Sequence, residues 1–353
     1  MRAYLCPSCG AELVCEETTV ATSCPYCGNP SIVPGQFQDF QCPDYVIPFQ
    51  TDKEAAIVAL KEYYKGKPLL PRGFALESHL EEVKGVYVPF WLYDGEADAD
   101  VTFHTTRSHT TTTAKERITT TEHYQVRRAG KVSFSRLPVD ASSKMPDGHM
   151  DAIEPFDYEQ MQPFALAFLP GFLADKYDVT AEECAARADE RFRSSAISAM
   201  ENAVSGYDTC SVSGSDVRLR REEAKYALLP VWMLSTKWKE RNYLFAMNGQ
   251  TGKMVGNLPI SGWKTAAWFF GLFAILTLLG RLLFPLEGAL LGGVVIAAVV
   301  CLIMAGAMKT ANRGSHADAY IHEGGVQIRV RTDHFLHRTV SRQPLQNQSS
   351  RGK

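Results

Sequence analysis

An α+β fold is predicted by three observations. Two near-identical pentapeptides, Cys6-Pro7-Ser8-Cys9-Gly10 and Cys24-Pro25-Tyr26-Cys27-Gly28, open the chain. A central stretch mixes apolar and aromatic strand-like runs with two helix-start signals, and two long apolar segments stand near the far end. Together they predict four regions: a metal-bound module over 1–40, a mainly antiparallel β region with two helices over 41–262, a two-helix transmembrane hairpin over 263–308, and a basic, partly disordered tail over 309–353.

Each pentapeptide sets two thiols on one tight turn. Two residues separate the thiols within each pair and fourteen separate the pairs. That spacing fits a four-cysteine zinc ribbon, whose turns each supply two sulfurs about 2.3 Å from the metal. Gly10 and Gly28 follow the second Cys of each pair, where such a turn passes through positive φ, and Pro7 and Pro25 stiffen the approach. Cys6, Cys9, Cys24 and Cys27 are the expected ligands of a structural Zn²⁺, with no position left open for a catalytic water. Disulfides are the competing use of the same thiols. Cys15 and Cys42 fall outside the spacing and read as ordinary thiols.

The stretch 41–262 is long enough for one or two cores of its own. Thr51-Asp52-Lys53-Glu54 reads as a capping box, followed by Ala56, Ile57, Leu60 and Tyr64 at helical spacing and closed by Gly66. Thr180-Ala181-Glu182-Glu183 is a second box, opening a helix through Ala188, Phe192, Ala199 and Val204 to Gly206. Two similar blocks, Gly85–Tyr93 and Ala227–Ser235, each place Pro-x-Trp in an aliphatic strand. They read as an internal repeat of two halves, or as a coincidence of two aromatic strands. Ala97, Ala99, Val101 and Phe103 alternate with Asp98, Asp100, Thr102 and His104, as a half-exposed strand should. Tyr243 to Met247 leads into the tight-turn pair Asn248-Gly249.

Several constellations invite a catalytic reading and fail on spacing. Asp94, Glu96, Asp98 and Asp100 start like a calcium loop, but the required Gly is Ala99 and the closing acid is Thr105. They read as the solvated face of a strand. His104, His109 and His123 border a Thr-rich run that would hold a metal only in one strand register; an exposed hairpin is the plainer reading. His334-Phe335-Leu336-His337 lacks the spacing of a zinc protease motif and is given no role. Gly249-Gln250-Thr251-Gly252-Lys253-Met254 lacks the glycine spacing and the hydroxyl residue of a phosphate-binding loop. Cys184 and Cys210 have no neighbour in sequence that marks a nucleophile. A non-enzymatic protein is expected, with an enzyme as the third-ranked alternative.

Ala266–Phe284 and Gly288–Met308 are apolar apart from Arg281, and Pro285-Leu286-Glu287 joins them. A spanning helix needs roughly 20 apolar residues, which the first segment meets if Arg281 snorkels at the far end. A buried helix pair in a soluble core is the competing reading. Trp263 and Trp268 suit an interface, and Gly288, Gly292, Gly293 and Gly306 suit close helix packing. Lys264, Lys309 and Arg313 flank the hairpin, which by the positive-inside rule puts both termini in the cytoplasm. Met1-Arg2-Ala3-Tyr4-Leu5 runs into the first knuckle without an apolar signal core, and a four-thiolate site suits a reducing compartment.

The net charge of −2 hides an asymmetry. From Lys309 onward eight Lys and Arg face three Asp and Glu, so that stretch carries +5 and the remainder −7. A basic tail is drawn to anionic membrane lipids. Residues 1–40 hold Arg2 as their one basic side chain, against Glu12, Glu16, Glu17 and Asp39. An acidic surface repels phosphate, which disfavours nucleic acid as the partner of this module.

The two knuckles, Tyr45–Phe49, Gly85–Trp91, Gly171–Asp178 and Phe245–Lys253, followed by an apolar hairpin, resemble over nearly the whole chain a group of bacterial zinc-ribbon membrane proteins. Members carry labels such as "primosomal helicase PriA-like" or "TFIIB-type zinc ribbon protein". The motor motif that the helicase label requires is not in this sequence. The resemblance implies company with SPFH (flotillin-like) proteins and phage-shock-type membrane stress proteins, and no catalytic residues. The expected function is a membrane-anchored zinc-ribbon adaptor or scaffold for such partners. A membrane-tethered nucleic-acid binder is the alternative.

Overall fold

The computed structural model of the chain describes residues 2–6, 8–9, 12–15, 18–24, 30–32, 41–74, 79–113, 115–310 and 317–344. The described chain is α+β, with five α-helices and a mixed, mostly antiparallel set of strands; they include the short helix α2 (Asp147–Ala152) and the short strands β8 (Gln162–Pro163) and β13 (Met254–Gly256). It divides into two units interleaved along the sequence. Met1–Trp91, Val139–Cys184 and Lys225–Ser315 form the first; Leu92–Pro138, Ala185–Ala224 and His316–Lys353 form the second.

Two short hairpins open the first unit. β1 (Arg2–Leu5) pairs antiparallel with β2 (Glu12–Cys15), and β3 (Thr19–Ser23) with β4 (Pro30–Ile32). β3 also pairs with a strand at Leu173–Asp175, β9, which ties the second hairpin to the body of the unit.

β5 (Tyr45–Val46) precedes α1 (Lys53–Tyr64), which Asp52 caps through Oδ1, accepting from Ala55 N at 2.7 Å. Thr51, the cap expected from the sequence, turns inward instead. Its hydroxyl donates to Gly249 O at 2.9 Å and accepts from Trp232 Nε1 at 3.0 Å. Asp caps at least as well as Thr, so the helix gives up little by starting one residue later. Gly66 ends the helical segment at φ +68°, a left-handed position that suits Gly.

Ala56 and Leu60 bury their face of α1 against Leu69, Phe74, Trp232, Phe245 and Met247. The last three stand on β11 (Lys225–Trp238) and β12 (Arg241–Asn248), an antiparallel hairpin. Its turn residues Lys239 and Glu240 both take positive φ, 48° and 59°, the two-residue turn that matches strand twist. β11 also runs parallel to β5, which makes the sheet mixed. Both Pro-x-Trp motifs lie in this unit, Pro89–Trp91 in the first part of β6 (His79–Thr112) and Pro230–Trp232 in β11. Each Trp is buried with its N–H satisfied, Trp91 by Val179 O at 3.0 Å and Trp232 by Thr51.

The second unit is a long-stranded sheet. β6 continues into it and returns through Thr113–Glu116 as β7 (Glu116–Asp140), with Thr113 N donating to Glu116 O at 2.8 Å. β10 (Thr209–Arg221) pairs with β6. The predicted alternation holds: Ala97, Ala99, Val101 and Phe103 are buried, and the acids between them are half exposed. α3 (Ala181–Asn202) opens with the predicted box, where Thr180 N donates to Glu183 Oε2 at 2.8 Å and Glu183 N to Thr180 Oγ1 at 3.3 Å. Within this unit Ala188, Phe192, Ala196 and Met200 bury the helix face at intervals of four, and Phe192 packs on Phe134 at 4.6 Å between ring centres. A Cβ on Gly95 would lie 3.1 Å from the Phe192 ring, so the bare glycine admits the aromatic.

The segment read from sequence as a polar, partly disordered tail is a strand over Ile321–Pro344, β14, antiparallel to β7. Three irregularities in register, after Ile321, Ile328 and Phe335, break its period of two. Its alternation is therefore hidden in the sequence. Polar partners hold it: buried Arg128 donates to Asp333 Oδ1 at 2.6 Å, Tyr207 to Asp333 Oδ2 at 2.8 Å, and Arg338 to Glu122 Oε1 at 2.7 Å.

Candidate metal centre

Cys6 and Cys9 follow β1, and Cys24 follows β3, so two separate hairpins deliver the thiols. The three Sγ atoms lie within 4.8 Å of one another, with Cys6 and Cys24 buried and Cys9 exposed. Cys9 Sγ and Cys24 Sγ are 3.7 Å apart. A disulfide would bring them to about 2.05 Å. A tetrahedral ion with bonds of about 2.3 Å holds its sulfurs about 3.8 Å apart. The observed separation therefore matches shared coordination, and the three thiols can hold a metal ion.

The turn also prepares the ligand electronically. The backbone amides of Cys9 and Ser8 point at Cys6 Sγ and hold its pKa down at about 6. The thiolate is the form that binds metals. Cys27, the fourth expected ligand, lies outside the described residues.

The second feature of the first unit is a pair of helices long and apolar enough to cross a membrane, α4 (Gly262–Gly280) and α5 (Leu286–Gly306). At 1.5 Å per residue they measure about 28 and about 31 Å, close to the roughly 30 Å of a hydrocarbon core. α4 starts four residues before the apolar segment read from sequence because Ser261 caps it, its side chain accepting from Lys264 N. It ends at Gly280, with Arg281 as the C-cap, so the one charge of the segment stands at the turn between the helices.

No residue of α4 is buried, and Trp263, Leu282 and Leu283 are more than 80% exposed. The buried face of α5 is Ala289, Gly293, Ala297 and Cys301, a ridge at intervals of four. A Cβ on Gly293 would lie 2.6 Å from Thr277 Oγ1, so Gly293 is the glycine that close packing requires. Gly292 and Gly306, also expected there, meet nothing within 4 Å, and Gly288 meets only Phe284 Cβ at 3.7 Å.

Both ends of the hairpin are fastened to the body of the first unit. Ser261 N donates to Leu69 O at 2.9 Å and Lys264 Nζ to Leu70 O at 2.6 Å. On the return, Lys67 Nζ donates to Ala307 O at 3.0 Å, Leu258 N donates to Met308 O at 2.9 Å, and Met308 is fully buried. The hairpin thus leaves and re-enters at one place.

The remaining sequence candidates are structural. Asp94, Glu96, Asp98 and Asp100 lie along one face of β6, where Asp100 pairs with Arg127 at 2.5 Å and Glu96 with Lys131 at 2.5 Å. The Asn248–Lys253 segment is a turn. Asn248 Oδ1 accepts from Gln250 N and Thr251 N, its amide donates to Ile153 O and Pro155 O, and a Cβ on Gly249 would lie 2.7 Å from the Phe49 ring. Lys253 donates to Glu154 O, so it points into the protein. Cys184 donates to Asp140 O at 3.5 Å, and burial pushes the Cys210 thiol up, away from nucleophile chemistry. His104 and His123 do come together, with His337 beside them, which the sequence could not show because His337 arrives on β14.

Fold and site define an α+β protein with an N-terminal thiol cluster and a C-terminal apolar hairpin. The chain belongs to the family of the Bacillus subtilis (strain 168) protein described as "Uncharacterized protein YdjG". The two are 38% identical over 318 residues, which covers 76% of this chain and 93% of that one. No family model matches the sequence, and no solved structure matches it.

Proposed function

We propose that this protein is a non-enzymatic, membrane-anchored zinc-ribbon adaptor of the bacterial cell membrane. The observation that carries this reading is the apolar hairpin, unburied along α4 and fastened at both ends to one unit that also holds the thiol cluster. An apolar surface of that extent marks a membrane or interaction site. With Lys264 and Lys309 at its base, the positive-inside rule sets both termini in the cytoplasm.

The metal is Zn²⁺, held by Cys6, Cys9, Cys24 and Cys27 in a zinc ribbon. The 3.7 Å between Cys9 and Cys24 sulfurs supports the tetrahedral geometry, and an all-thiolate set suits Zn²⁺ over harder cations. Bound there, Zn²⁺ supplies cross-linking rather than chemistry. Tethering raises the local concentration of whatever the ribbon holds, so modest affinity suffices. The partners are membrane lipids and SPFH (flotillin-like) or phage-shock-type proteins, on the strength of the family resemblance.

The test is purification of the tagged full-length protein from its native membrane in mild detergent after nuclease treatment, with mass spectrometry of what accompanies it. A flotillin-like or stress-scaffold protein retained by the wild type and lost from a Cys24→Ser, Cys27→Ser variant is the expected result. Nucleic acid recovered without nuclease, and no protein partner, would replace the adaptor with a membrane-tethered nucleic-acid binder.

A further inference from the structure

The second unit carries a cluster of imidazoles on one face of three adjacent strands: His104 on β6, His123 on β7 and His337 on β14. The register of β7 and β14 sets His123 opposite His337, and their rings stack with centres 4.4 Å apart and planes within 10°. The His104 ring lies 5.5 Å from His123. A bulge makes this meeting. Phe335 faces Tyr124, and the extra residue Leu336 shifts the register so that His337, not Leu336, falls opposite His123. Bulges are a recurrent device for re-aiming one side chain.

His123 is half buried in this cluster. Its Nδ1 is buried without a hydrogen-bond partner, and its Nε2 lies 3.4 Å from Thr339 Oγ1. An imidazole with a buried, unsatisfied nitrogen at a cluster of two other imidazoles is suited to bind a metal.

We propose that His104, His123 and His337 form a second metal site, for a divalent transition-metal cation of the Zn²⁺, Ni²⁺ or Cu²⁺ class. Imidazoles select these cations over Mg²⁺ and Ca²⁺. Two imidazoles on one tetrahedral ion have ring centres about 5 Å apart for metal–nitrogen bonds of about 2.0 Å. The His104–His123 pair at 5.5 Å and the His123–His337 pair at 4.4 Å bracket that spacing, although the ligand nitrogens of all three do not lie within 4.8 Å of one another. Stacked planes send their nitrogens side by side rather than to one point, so closure needs a rotation of His337 about its Cβ–Cγ bond, a broad torsion. Three imidazoles leave at least one coordination position for water or a ligand. Bound metal clamps β14 onto β7 and β6, and by mass action stabilises that arrangement.

The site is tested on untagged full-length protein in detergent, stripped with chelator and titrated with Ni²⁺ by calorimetry. The wild type is expected to show a Ni²⁺ site that persists in a Cys6→Ser, Cys24→Ser variant. His123→Gln or His337→Gln should weaken that site at least tenfold. Ni²⁺ binding that vanishes with the thiols, or is indifferent to both histidine substitutions, overturns the proposal. Should either glutamine variant fail to fold, the thiol-depleted protein loaded with Cu²⁺ decides by electron paramagnetic resonance. Nitrogen couplings from more than one imidazole support the site, and one or none overturns it.

Discussion

At the residue scale, single atoms decide both features of the first unit. Cys6 accepts from two backbone amides, and the Cys9 and Cys24 sulfurs stand 3.7 Å apart, so removing one sulfur leaves the others short of a tetrahedral set. In a His123→Gln background, which disables the histidine cluster, Cys24→Ser is expected to lower bound zinc from about one equivalent per chain to near none, measured by elemental analysis of purified protein. Retention of stoichiometric zinc would show that the metal sits elsewhere. In the hairpin, Gly293 faces Thr277 with no room for a methyl group, whereas Gly292 meets nothing. Gly293→Val should therefore destabilise the hairpin by about 1–3 kcal/mol through overpacking. Gly292→Ala should be neutral or mildly stabilising, since Ala exceeds Gly in helix propensity. Thermal unfolding in one detergent compares the two, and equal effects would mean that the α4–α5 interface is not packed as described.

Among elements, the sheet of the second unit shows where legibility ends. The alternation from Ala97 to His104 and the box Thr180–Glu183 could be read because each signal is local, a period of two or a spacing of three. The thiol pairs could be read for the same reason, although spacing alone leaves disulfides open and it is the 3.7 Å between the Cys9 and Cys24 sulfurs that speaks against one. β14 could not be read, because bulges interrupt its period and its partners lie some 200 residues away, as Arg128 does from Asp333. The His104, His123 and His337 cluster is hidden with it. The cap of α1 falls at Asp52 rather than Thr51 because the partners of Thr51, Gly249 and Trp232, are equally distant in sequence. β14 also carries a pH dependence. The Arg128 hydrogen bond, then that of Tyr207, holds the Asp333 carboxyl below its usual value. A carboxylate depressed in the fold contributes stability that is full above its unfolded pKa of about 3.9 and is lost as pH falls through the lower native value. Hydrogen exchange of the β14 amides should accelerate in that acid window after correction for intrinsic rates. Asp333→Asn should already show weakened protection at neutral pH and a shallower acid response; an unchanged profile would remove this pair from the account of how β14 is held.

For the whole molecule, the decisive feature is that α4 departs and α5 returns through contacts on the same unit, Lys264 with Leu70 and Lys67 with Ala307. A soluble body fastened to both ends of a hairpin must lie on one side of any bilayer the hairpin enters. The turn from Arg281 to Pro285 would then lie at the opposite face, with the guanidinium of Arg281 placed to snorkel toward headgroups. Without a covering bilayer or protein, nearly all of α4 and the outer face of α5 would stand in water, and exposed apolar patches of that size are rare on soluble monomers. Two consequences can be measured together. Extraction of native membranes with alkaline carbonate should leave the protein in the pellet, and detergent should release it. A cysteine placed at the turn by Leu283→Cys, in a background with the native thiols blocked, should react with an impermeant maleimide added to intact cells, whereas a cysteine at Lys237 in β11 should react only after the membrane is opened. Carbonate extraction into the supernatant would show the hairpin covered by protein instead of lipid. Labelling of Lys237→Cys in intact cells with protection of Leu283→Cys would place the body of the protein outside and invert the orientation argued from Lys264 and Lys309.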